Sequence, residues 1–148
     1  MKTKITLLSI FCLFFTLTTF AQKKHGPLSF IKNKVTIEKY HNAEDLKNMP
    51  KGEVLNLYME RVEALTQIIP YMAFATKPGV TMATLGIPNS NENRKQLEAQ
   101  HENAENYLEG TVEFQKVLLP YSDTSKLVAA VLFYESIMKS IHSYEDFY

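Results

Sequence analysis

Apolar residues recur at steps of three and four over most of this chain, the spacing that lines one face of a helix. Val54, Tyr58, Val62, Leu65, Ile69 and Met72 form the first such stripe, and Glu53, Glu60, Arg61 and Glu63 fall off it. A helix is expected from about Pro50, a residue suited to a first helical turn. Pro70 should kink or end it, and Lys77-Pro78-Gly79 stops it. Leu97, His101, Ala104, Leu108, Thr111 or Val112, Gln115 and Leu118 mark the inner face of a second helix, capped by Asn89 or Ser90. Gly110 sits inside that run and weakens it by about 1 kcal/mol relative to alanine, which makes it a candidate break. A third helix runs from about Ser125 to His142, with Leu127, Val131, Tyr134, Met138 and Ile141 on one face. Val128, Leu132, Phe133 and Ile137 spread apolar surface nearly all round it, as on a helix that is central or covered by a partner.

The segments between these runs are less regular. Residues 22–42 show only a weak alternation over Val35 to Tyr40, a candidate short strand. Asn42 to Asn48 suit one turn of helix, with Asn42 as cap and Leu46 apolar. Pro78, Gly79, Gly86 and Pro88 mark a long connection. From Pro70 to Asn89 the only charge is Lys77, which is unusual because loops normally run over the wet surface. Pro120 to Thr124 form a turn. The pattern predicts an all-α fold, an antiparallel three- to four-helix bundle over residues 50–148, preceded by an irregular lead at 22–49.

Composition adds a compartment. Lys2 and Lys4 precede an apolar run from Ile5 to Phe20, and Thr19-Phe20-Ala21 closes it before the polar Gln22-Lys23-Lys24. That order is a secretory signal peptide over residues 1–21, cleaved between Ala21 and Gln22. The run of about 16 residues is shorter than the roughly 20 that span a bilayer. The product is expected to be periplasmic or extracellular, with no transmembrane anchor after cleavage. Removing 21 of 148 residues leaves 127, enough for one domain. The single cysteine, Cys12, leaves with the signal, and disulfides, thiolate metal sites and thiol nucleophiles leave with it. Such an exported domain must rest on an ordinary hydrophobic core.

Charge is unevenly placed. Residues 23–51 carry seven Lys against Glu38, Glu44 and Asp45, and residues 52–148 carry seven basic against thirteen acidic side chains. The Lys-rich lead is therefore self-complementary to the acidic body, or an arm for an anionic envelope surface. Export argues against a nucleic-acid partner.

Three constellations bear on chemistry. Glu-x-x-His occurs at Glu38–His41 and Glu98–His101, a spacing that puts a carboxylate and an imidazole on one helix face, as in ferritin-like di-iron bundles. With Glu60 and Glu135 from the other helices, Glu98 and His101 make the candidate di-metal set. Against it, Glu98 aligns with Glu102, Glu105 and Glu109 in an acidic ribbon typical of a solvated face. Met59 and His142 are candidate axial ligands for haem b, and in length, export and ligand placement the chain resembles the small haem-carrying four-helix-bundle cytochromes. Covalent haem attachment is excluded, because there is no Cys-x-x-Cys-His. Hydrolase elbows, zinc-protease motifs and phosphate-cradling glycine loops are missing from the sequence. The third constellation is the charge-poor stretch itself. Tyr71, Met72, Phe74, Val80, Met82, Leu85 and Ile87 make a candidate contact surface for a partner protein, a second copy or an acyl chain, unless they cap the core. The expected function is that of a non-enzymatic, cofactor-free exported binding protein, with metal or haem binding as the alternative.

Overall fold

The computed structural model describes residues 27–144, apart from 33, 34, 36 and 38. The expected signal segment, the first lysines of the lead and Glu38 lie outside these residues. Within them the chain is all-helical, with four α-helices and no named strand. They are α1 (Ala43–Lys47), α2 (Lys51–Ile68), α3 (Asn91–Leu118) and α4 (Thr124–His142).

Local signals set the ends. Asn42 Oδ1 accepts the backbone N–H groups of Glu44 and Asp45, as expected for the cap of α1. Ser90 Oγ accepts from the N–H of Asn93 and opens α3. Asp123 does the same for α4 through the N–H of Ser125. Pro70 ends α2 as predicted, in a 3₁₀ turn over Ile69–Tyr71. Gly110 does not break α3, which is continuous for 28 residues. Packing overrides the local weakness there, because Leu108 and Gln115 are buried on either side.

The helices run side by side in a definite order. Val54 clusters with Leu127, Val128 and Val131, while Leu65 and Ile68 cluster with Met138 and Ile141. Early residues of α2 thus meet early residues of α4, and the two run parallel. α3 returns antiparallel to α2: Lys51 Nζ donates to the carbonyls of Pro120 and Ser122, and Tyr71 packs edge-on to His101. The backbones of α2 and α4 approach most extensively, those of α2 and α3 less so.

The buried face of α2 differs from the one expected. Val54, Arg61, Ala64, Leu65 and Ile68 are inside, Tyr58 and Val62 are half-buried, and Ile69 is exposed. On α3, Leu97, His101, Leu108 and Gln115 are inside as predicted, but Leu118 is exposed. On α4, Glu135 joins the buried stripe and Tyr134 is half-buried.

The lead is part of the core. Phe30, Ile31 and Val35 join the cluster beneath Tyr71, and Leu46 is fully enclosed against Val54 and Val131. The alternation at Val35–Tyr40 yields no strand among the described residues; pairing there is confined to one antiparallel bridge, Ser29 to Thr81. That bridge joins lead to long connection. Phe30 N–H donates to the Val80 carbonyl at 2.9 Å, Ser29 Oγ donates to the carbonyls of Ile31 and Val80, and Gly79 N–H donates to Ser29 Oγ. Gly79 and Gly86 take positive φ, so the connection turns where side chains would be strained.

Met138 is central to this packing, and Phe133, five residues earlier, faces water. Met138→Ala is expected to lower the unfolding free energy by about 2–5 kcal/mol, and Phe133→Ala by about 0.5 kcal/mol or less. Urea denaturation followed by circular dichroism measures both; equal effects would contradict the packing described.

Candidate functional site

Two charged side chains occupy core positions at the middle of the fold. Arg61 on α2 and Glu135 on α4 are each 1% exposed, and His41 from the lead closes over them. Arg61 Nη2 donates to Glu135 Oε1 at 2.8 Å, and Nε donates to the same oxygen at 3.2 Å. The backbone N–H of His41 donates to Glu135 Oε2 at 2.7 Å, and its ring Nδ1 lies 3.1 Å from Oε1. Nδ1 is 3.4 Å from Arg61 Nη2, so the shorter contact assigns it as donor to the carboxylate. Arg61 also donates to the Lys39 carbonyl and to Glu60 Oε2, each at 2.7 Å. Three segments distant in sequence are thereby tied at one carboxylate.

Burial alone would push the Glu135 carboxyl above the usual range. The His41 backbone bond, the His41 side-chain bond and then Arg61 outweigh it, and hold the group below its ordinary 4.5. Next to it, Tyr58 and Tyr134 face each other with hydroxyls 3.4 Å apart. Burial first, and the Tyr134 bond second, push the Tyr58 phenol up to about 12. Tyr40 Oη lies 3.1 Å from His142 Nδ1, and Lys139 sits over the Tyr40 ring. Burial raises the Tyr40 phenol as well, with the Glu135 charge adding to it. Both oxygens of Glu135 are committed to donors, so the arrangement is a structural clamp and not an acid–base pair open to substrate.

The candidate metal residues are dispersed. Glu135 is held by Arg61, and Glu60 is turned to the Arg61 Nη1. Glu98 is exposed and pairs with Arg94 one turn away at 3.3 Å. His101 is buried, with Nε2 donating to the Phe30 carbonyl at 2.9 Å and its ring edge-on to Tyr71. Among the described residues no group of three or more His, Cys, Asp or Glu side chains is placed to hold an ion. The expected set fails to assemble because the guanidinium takes the central carboxylate and the acidic ribbon faces water. The other Glu-x-x-His motif is also diverted, with His41 serving Glu135. The candidate haem residues lie apart: Met59 borders a cleft between α2 and α3, and His142 serves Tyr40 at the end of α4.

The charge-poor connection divides into two sets. Tyr71 and Met82 are buried in the core, and Met72, Val80 and Ile87 pack partly against it. Phe74 and Leu85 remain exposed. Phe74 stacks on Phe30 with rings 5.0 Å apart and nearly parallel. With Met72, Val80 and Tyr144, Phe74 and Leu85 line an open cleft of about 320 Å³. Two further clefts separate α2 from α3. One of about 420 Å³ is bordered by Glu60, Glu63, Glu105 and Lys32, whose ammonium pairs with Glu105. The other, of about 460 Å³, is bordered by Leu55, Met59 and Leu119, with the buried Gln115 amide at its wall.

Arg61 and His41 escaped the reading of the sequence as site residues. A signal existed: Val54, Arg61, Leu65 and Ile68 keep helical spacing, as do Val131, Glu135 and Met138, so each stripe carries one charge of opposite sign. Comparison with known proteins returns no matching family, no similar characterised protein and no similar solved structure.

Replacing either Arg61→Met or Glu135→Leu alone leaves a buried charge unpaired and should lower stability by about 3–5 kcal/mol, while the double variant should recover most of that loss. Denaturant titrations of the four proteins test this. The sign with pH follows from the lowered carboxyl. The stabilisation is complete above the unfolded-state value near 4.5 and is lost as pH falls through the folded one. Unfolding midpoints measured on acidification should therefore drop more steeply for the native chain than for Glu135→Gln.

Proposed function

We propose that this chain is an exported, non-enzymatic binding protein of the cell envelope or exterior, whose helices serve as an antiparallel bundle that presents the connection between α2 and α3. The observation that carries this reading is the exposed pair Phe74 and Leu85 at the rim of the 320 Å³ cleft. Their neighbours in the same charge-poor segment are held in the core, so the pair is presented from a firm base. Partly exposed Met and aromatic side chains suit an adaptable apolar contact with a partner protein or an acyl chain. The n-region, apolar run and small residue at Ala21 support export with cleavage before Gln22. The Lys-rich start of the processed chain supports a peripheral contact with an anionic envelope surface. Among the described residues no helix is long and apolar enough to cross a membrane. The clamp at Glu135 belongs to stability in this reading.

Photo-crosslinking in living cells provides the test. A photoreactive residue at position 74 or 85 should yield a discrete adduct from the envelope or secreted fraction, and the same residue at Glu92, on the exposed first turn of α3, should yield none. Equal labelling at all three positions, or recovery of the chain only from the cytoplasm, would count against the proposal.

A further inference from the structure

We infer that two copies of this chain pair through the outer face of α3, antiparallel and crossing near Gly110. α3 carries two seams at the alternating three-and-four spacing of a coiled coil. The inner seam, including Leu97, His101, Leu108 and Gln115, is filled by this chain. The outer seam is Asn103, Tyr107, Gly110, Phe114 and Val117, and it continues to Tyr121 in the 3₁₀ turn beyond the helix. Its rings face solvent, with Phe114 63% and Tyr121 87% exposed, and Leu118 flanks them half-exposed. No seam position is charged; Glu102, Glu105, Glu109 and Glu113 lie on the opposite flank of the helix.

Gly110 points to a second helix. It weakens the helix interior, yet a side chain there would meet nothing within 4 Å, so the fold of one copy does not require it. It opens a hole between Tyr107 and Phe114 on the exposed face. In an antiparallel pair centred beside it, Gly110 meets the partner's Phe114, and Tyr107 meets the partner's Val117. Each gap receives a ring, and the seam is its own complement, as a two-fold interface demands. The five apolar side chains together expose at most on the order of 700 Å² per copy, enough to supply the apolar centre of an interface of the standard size of roughly 800 Å² per partner. This surface is separate from Phe74 and Leu85, so the inference and the proposed function stand or fall independently.

Sedimentation equilibrium decides the matter, on protein recovered from cells expressing the full chain. A dimer with a micromolar or tighter dissociation constant is expected. Phe114→Glu and Gly110→Leu should each weaken it by about tenfold or more, as truncation at the centre of an interface does. Gly110→Leu should leave helix content unchanged and, at concentrations below the dissociation constant where both proteins are monomeric, raise the thermal midpoint, which separates loss of pairing from loss of fold. A monomer throughout the micromolar range would overturn the inference. So would a dimer that withstands both substitutions, or one abolished only by Phe74→Glu.

Discussion

The carboxylate of Glu135 has lost nearly all contact with water, and its two oxygens are held by donors from two other parts of the chain. Removing a carboxylate from water is tolerable only where fixed donors replace the solvent. Here the replacements are a guanidinium from α2 and the backbone and ring of His41 from the lead. The pairing sets the parallel register of α2 and α4, because Arg61 and Glu135 can meet at only one offset of the two helices. It also explains why residues 39–41, which belong to no helix, lie where they do. Lys39 gives its carbonyl to Arg61 and His41 gives its N–H to Glu135, so the backbone there is satisfied by side chains instead of a sheet.

The same device limits what the sequence could reveal. Caps and prolines act locally, so Asn42, Ser90, Asp123 and Pro70 mark helix ends without knowledge of the rest. A charge on a helix is ordinarily read as facing water, and Arg61 is misplaced by that rule unless Glu135 is considered with it. Neither residue is informative alone. The lead was opaque for a different reason. Phe30, Ile31 and Val35 follow no period, and their burial depends on one bridge to Thr81 and on the connection folding back over them. His101 was legible as a position on the inner face of α3, but its partner, the Phe30 carbonyl, was not.

The unusual apolarity of the 70–89 connection has a physical account in this arrangement. The connection is not a loop over the surface but the second layer of a small lamina, with the lead as the first. Ser29 holds the two layers together, accepting from Gly79 and donating to Val80. Apolar side chains from both layers close one end of the helices, and the large side chains of Phe74 and Leu85 are left exposed. Surplus apolar surface thus remains at the rim of this lamina, along the outer side of α3 and at Phe133 on α4.

His41 and Glu135 are 94 positions apart, and the clamp closes a long loop of the chain. During synthesis the lead emerges before α4, and the backbone N–H of His41 has no carboxylate to meet until α4 arrives. Loop-closure entropy must be met before these contacts can form, so the core is completed late. A chain closed in this way completes its core only once its last helix has been made.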